Sequence, residues 1–421
     1  MKRIRQLGGM AVALAALIAL TGCGRTNEAP PAAAAANTIP SGHAKGTVTM
    51  WAMGTEGELL QGFVSTFEKS NPGVKVNVTA IPWGSAYSKF QTAIAAGNTP
   101  DIAMMGTTWM PDFANAFSAV PTNFGTTDFF PGAVDSTKVG GHVTGVPWYV
   151  DTRVLYYRTD LAAKAGWTNA PTSWDQLKQL ASDLKSKAGA KYGFNMPAGD
   201  GSFQSTLWMP WSNGADLTTS SKWTLDTPAM VKAYEYYESF FKEGLADATP
   251  STSAGSQEAN FVNGSVPMFV DGPYELGQLA KIGGKGFVDK YATAPLPTQK
   301  SSTSFTGGSD LVVFDKSKNK NAAWKLAQWL SKPDVQADWY KLSGDLPAVQ
   351  SAWQTSALSS DKKLAVFGEQ LKTAKAPPSI TSWVQVSAAA DAALETIRRG
   401  TATVPDAFKN LQSKADSIGI G

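Results

Sequence analysis

At 421 residues the chain is too long for one ordinary hydrophobic core, so two domains are expected. Its 43% hydrophobic and 17% charged residues give it the composition of a soluble globular protein. Of 37 basic residues, Lys2, Arg3 and Arg5 lie in a leader expected to be removed, leaving 34 against 34 acidic ones; this formal neutrality gives no electrostatic support for a nucleic-acid or anionic-membrane partner.

The leader has a basic start, Met1 to Arg5, and an apolar run, Met10 to Leu20, too short for a comfortable transmembrane helix. Leu20-Thr21-Gly22-Cys23 follows and resembles a bacterial lipobox. Residues 1–22 are therefore expected to leave as a signal peptide, and Cys23 to carry a lipid on the extracytoplasmic face of the cell membrane. Cys23 is the only cysteine, which excludes an intramolecular disulfide. Residues 23–46, with three prolines and no periodic apolar face, are expected to be a tether.

Thr47 to Trp51 is the first expected strand. Gly54 and Gly57 frame a turn, and Glu58 to Ser70 is an amphipathic helix with Leu59, Phe63 and Phe67 on one stripe. Val74, Val76 and Val78 alternate as a second strand, Tyr87 to Ala96 forms a helix, and Asp101 to Met105 is a third strand. This alternation predicts a parallel α/β sheet, with ligand loops beyond the strand ends at 53–56, 82–83 and 106–109. The stretch from Gly145 to Gly166 follows. Its Val154 to Tyr157 run is apolar on both faces, and we expect it to carry the chain between domains with Asp151 at the cleft. Thr172-Ser173 caps a helix with the stripe Trp174, Leu177, Ala181 and Leu184, and Tyr192 to Phe194 is read as a strand. Residues 196–211 form an aromatic, Gly-containing loop. Pro228 opens a helix with Tyr234, Tyr237 and Phe241. Phe261 to Phe269 leads into Asp271-Gly272-Pro273-Tyr274. Residues 305–314 are a strand region, and the remainder is helical by pattern.

The lipobox, Val48 to Trp51, Phe67 to Val76, Asn98 to Ile102, Val146-Pro147 into Leu155 to Arg158, and Asp271 to Tyr274 fall in an order that resembles the extracellular solute-binding proteins of sugar ABC importers, the group that includes maltose-binding protein. The resemblance implies a periplasmic-binding-protein-like α/β fold, two lobes joined by a multi-strand hinge with a ligand cleft between them. It places residues 47–155 and 309–345 in lobe 1, and 156–308 and 346–421 in lobe 2. It implies a lipid-anchored, monomeric receptor that captures a di- or oligosaccharide by hinge closure, without a cofactor. The closed form would deliver the sugar to the permease subunits of an ABC importer. Residue by residue, its first binding loop matches Thr55-Glu56, where an acid followed by a base is usual. Its second matches Thr108-Trp109, with Thr108 where an acid is common. The acid after the Pro-aromatic turn matches Asp151, the aromatic after Gly-Pro matches Tyr274 where Trp is usual, and the C-terminal aromatic matches Trp383.

A sugar needs carboxylates or amides for its hydroxyls and aromatic rings for its C–H faces. Trp83, Trp109, Trp208 and Trp211 fall in expected loops, where a ring has less reason to belong to the core. Glu56, Asp200 and Gln204 supply polar groups, against the alternatives of a helix N-terminal carboxylate and ordinary loop polarity. Gly307-Gly308-Ser309, with Gly308 at its centre, is a candidate for hinge or cleft wall with backbone close to ligand, against a strand bulge. Catalysis has little to build on. His43 lies in the tether and His142 beside Gly140-Gly141, so no Ser-His, Cys-His or His-metal site assembles. A carboxylate-pair glycosidase using Glu56 and Asp151 remains open as the alternative, as does a receptor for a non-sugar solute.

Overall fold

Among the described residues the strands are β1 (Lys45–Met53), β2 (Gly73–Ile81), β3 (Ile102–Gly106), β4 (Lys138–Val139), β5 (His142–Val143), β6 (Val146–Thr152), β7 (Val154–Arg158), β8 (Met268–Asp271), β9 (Tyr291–Ala294), β10 (Thr306–Val313) and β11 (Leu346–Pro347). They come from a computed structural model that describes residues 38–125, 128–251, 253 and 255–420. The leader, Cys23 and most of the expected tether lie outside the described residues. Six strands form one sheet in the order β11-β6-β10-β3-β1-β2. As the alternation predicts, β1 runs parallel to β2 and β3. β10 enters antiparallel between β3 and β6, and β11 pairs antiparallel at the edge.

Only Arg153 separates β6 in this sheet from β7, the centre of a second, antiparallel sheet in the order β8-β7-β9. The side-chain period of two sends Val154 and Tyr156 into one hydrophobic core and Leu155 into the other. Tyr156 stacks on Phe269 at 4.7 Å between ring centres. On the opposite face Leu155, Met268 and Ala294 pack with the helices Trp174–Ala188 and Pro228–Lys242. The first of these helices is capped by the Ser173 hydroxyl, which accepts from the Gln176 N–H, and it buries the stripe Trp174, Leu177, Ala181 and Leu184.

Several elements differ from their expected form. The first helix spans Gly54–Phe63 and starts directly at the end of β1, because Gly54 adopts φ +55° and replaces the expected turn. Tyr192 to Phe194 is not a strand; its N–H groups donate to the carbonyls of Ser265 and Leu245 outside any ladder. The loop at 196–211 contains two short helices, Ser202–Thr206 and Trp208–Ser212. Packing also begins before Gly46. Ile39 is buried, its N–H and C=O paired with the Asn123 side chain, and the Ala44 N–H donates to Asn71 Oδ1.

Candidate functional site

The carboxyl ends of β1, β2 and β3 lead straight into helical turns, which places Glu56, Trp83 and Trp109 side by side. A side chain at Gly54 would meet the Trp83 indole nitrogen at 2.8 Å and Glu56 Oε2 at 3.2 Å, so Gly54 allows these groups to close over the strand end. The Trp83 and Trp109 rings meet edge-on at 5.6 Å, and Tyr87 meets Trp109 at 5.5 Å. Trp83 is 40% exposed, a large aromatic face kept open to solvent. The Tyr149 hydroxyl donates to Glu56 Oε1 at 3.0 Å and accepts from the Ser309 hydroxyl at 3.1 Å. Burial pushes the Tyr149 phenol well up, helped by the carboxylates of Asp345 and Glu56.

Next to this cluster lies the crossing between sheets. Arg153 NH1 pairs with Asp151 Oδ2, and Arg153 Nε lies 3.5 Å from Asp271 Oδ1. Burial raises the Asp151 carboxyl, and the Arg153 guanidinium opposes that rise. Asp151 Oδ1 is buried without a hydrogen-bond partner. Tyr274 caps the junction with 54% of its surface exposed. A cavity of about 630 Å³ opens here, lined by Tyr149 and Asp151 from β6, by Tyr274 after β8, and by Tyr340 and Asp345 before β11. Both sheets therefore contribute to its walls. The Asp345 carboxyl is raised to about 7 by burial and by the charge of Glu56, while accepting from the Trp339 indole N–H at 2.9 Å.

Tyr274 also lines a second cavity of about 470 Å³. There Asn195 Nδ2 donates to Gln257 Oε1 at 2.6 Å, and Gln257 Nε2 donates to Asp271 Oδ2 at 2.9 Å and Glu275 Oε1 at 3.3 Å. Burial, then the charges of Asp271 and Glu258, lift the Glu275 carboxyl to about 8.

Of the residues singled out in the sequence, Glu56, Trp83, Trp109, Asp151 and Tyr274 line these cavities or belong to the clusters beside them. Thr55 is exposed on the first helix, and Thr108 is half-buried on the turn Thr107–Trp109. Asp200 is exposed at the loop tip before Ser202–Thr206, and Gln204 is half-buried on that helix. Trp208, Trp211 and Trp383 are 2–4% exposed, inside the core beneath the second sheet. Trp208 packs edge-on against Trp174, and Trp383 stacks near Trp223 and Phe203. Gly308, at φ +122°, is pressed on β6: a Cβ there would lie 2.1 Å from the Tyr149 carbonyl oxygen. That close approach accounts for the glycine through packing between strands. Gln257, Glu275 and Asp345 were not among the candidates. Their one sequence signal is that Asp271 to Tyr274 places carboxylates around a Gly-Pro turn, whereas Gln257 and Asp345 arrive from distant segments.

The sequence profile of the bacterial extracellular solute-binding proteins matches residues 52–337. The sugar-binding protein MalE from the phytopathogen Xanthomonas citri has a solved structure that covers 89% of this chain and 97% of its own, at 32% identity and a TM-score of 0.85. A putative binding protein of Brucella abortus is 28% identical over 395 residues, 91% of this chain and 95% of its own. The putative ABC transporter periplasmic-binding protein YcjN of Escherichia coli is 28% identical over 336 residues, 74% of each chain. The fold is the two-lobed α/β fold of these periplasmic binding proteins.

Proposed function

The chain belongs to the bacterial extracellular solute-binding proteins, and from that premise we propose that it captures a di- or oligosaccharide for an ABC importer. The observation that carries this reading is the 630 Å³ cavity whose walls come from both sheets, with exposed Tyr274 on it and Trp83 and Trp109 beside Glu56 and Tyr149 nearby. Aromatic faces suit the C–H faces of a sugar ring, and the carboxylates and hydroxyls suit its hydroxyl groups. The relatives named above as sugar-binding and ABC transporter proteins support the same solute and the same transporter class.

The mechanism follows from the strand crossings. The six-stranded sheet and the β8-β7-β9 sheet are taken as the cores of two lobes, near the expected divisions of 47–155 with 309–345 and 156–308 with 346–421, and the crossing from β6 to β7 at Arg153 lies beside the cavity. A ligand that touches both lobes only when they approach shifts the population toward the closed form by its differential affinity. Closed receptor then docks on the permease, and a lipid on Cys23 holds it, as a monomer, at the extracytoplasmic face of the membrane. Binding without cleavage is favoured by the occupation of the one acid pair in question: Glu56 accepts from Tyr149, and Asp151 is paired with Arg153.

Calorimetric titration against a panel of di- and oligosaccharides, with each ligand checked afterwards for integrity, tests this. Saturable binding of an intact saccharide is expected. Hydrolysis of the bound sugar would turn the reading to the glycosidase, and silence across the panel would remove the sugar.

A further inference from the structure

The 470 Å³ cavity beside the second sheet is lined by more carboxyl groups than a neutral sugar calls for. Asp247, Glu258, Asp271 and Glu275 all line it, and the one cation on its wall among the described residues, Lys191, sits 5.2 Å from the centre of the Tyr192 ring. Arg153 approaches from the crossing, but its guanidinium is already shared between Asp151 and Asp271. Asp271 Oδ1 accepts from the Gly272 N–H at 2.8 Å, and Gln257 Nε2 is shared between Asp271 Oδ2 and Glu275 Oε1.

Glu275 is 1% exposed, and its Oε2 has no hydrogen-bond partner. A buried carboxyl oxygen in that condition is costly, because it has lost its water and gained nothing in return. We infer that this cavity receives a protonated amino group carried on the captured saccharide, with Glu275 and Asp271 as its acceptors. The inference rests on the reading of the protein as a saccharide receptor and names a class within it.

The chemistry distinguishes an ammonium from the other donors that could reach Glu275. A sugar hydroxyl offers one donor and no charge. An ammonium offers three donors and a charge, enough to satisfy the unpartnered Glu275 Oε2 while approaching the Asp271 carboxylate. A divalent metal would need three or more ligating side chains converging on one point, and no such group exists among the described residues. Position fits as well. Tyr274 lines both this cavity and the one between the sheets, so a ring stacked on Tyr274 can turn an amino substituent toward Glu275. Protonation of the empty site agrees with this: Glu275, lifted to about 8 by burial and its acidic neighbours, is held neutral until a cation arrives.

The test is titration of the full chain in detergent with saccharide pairs that differ only in an amino group replacing a hydroxyl: glucosamine against glucose, and the β-1,4-linked glucosamine disaccharide against cellobiose. At pH 7 the amino member is expected to bind about tenfold tighter, the advantage shrinking to about twofold in Glu275→Gln and partly in Glu258→Gln, whose half-buried position makes it tolerant. Equal or tighter binding of the plain members would overturn the inference and leave the saccharide receptor standing. A preference that persists undiminished in folded Glu275→Gln also overturns it. Binding of spermidine with no saccharide bound would keep the cation site and remove the sugar.

Discussion

Trp83 and Trp383 are the same side chain in opposite settings. Trp83 stands 40% exposed with its edge to Trp109, whereas Trp383 is 2% exposed between Trp223 and Phe203. Trp83→Ala should therefore weaken saccharide binding by about 1–3 kcal/mol and leave the melting temperature nearly unchanged. Trp383→Ala should instead lower unfolding free energy by about 3–5 kcal/mol through the cavity it leaves. Paired calorimetric titration and denaturant unfolding of both variants check this, and a stable Trp383→Ala that fails to bind would reverse the assignment. Sequence could not separate the two rings. Both begin helices, at Trp83–Ala96 and Trp383–Arg398, and a first-turn residue shows no period that reveals which way it faces. Gln257, Glu275 and Asp345 were hidden for another reason: each acquires its meaning only from partners that distant segments bring to it.

Elements with a strong internal period were legible. Val74 and Val76 alternate and are buried on β2, and the stripe from Trp174 to Leu184 is the buried face of its helix. The β7 run, apolar on both faces, does feed both cores. Short elements were not legible. Trp208–Ser212 has five residues, less than two turns, so no periodicity develops, and its aromatics read as a loop. The strand join at β6 and β10 rests on Gly308, at φ +122° and with no room for a Cβ beside the Tyr149 carbonyl. Gly308→Ala should break that register beside the cavity, costing about 1–3 kcal/mol of stability from backbone strain and more from the clash. Thermal unfolding measures it; an unchanged midpoint would show that the two strands can part there without loss.

At the scale of the molecule, three buried carboxyls set a pH dependence. Burial raises Asp310 to about 8, Glu275 to about 8 and Asp345 to about 7, so the folded chain holds protons the unfolded chain has already released. Each contributes stability that is complete below the ordinary carboxylate range and is lost as pH rises through 7 to 8. The carboxyls held low, such as Asp160 and Glu395, act in the opposite sense but only in acid. Stability should therefore fall from about pH 5 to pH 8, by at most about 1.4 kcal/mol per pH unit for each group. In Asp310→Asn, which keeps a partner for the Ser136 hydroxyl, the slope should flatten. An equal slope in that variant would place the titrating group elsewhere.

The parallel start of the larger sheet and the crossing at β6–β7 were visible because local pattern dictates them, while the antiparallel entry of β10 depends on a pairing across 150 residues or more. We propose that those crossings let two lobes close on a sugar. Small-angle X-ray scattering of the protein with and without a saturating saccharide tests it most directly. Lobe closure gives a smaller radius of gyration in the bound state, reversed when the ligand is dialysed away. A bound saccharide that leaves the radius of gyration unchanged would contradict capture by closure.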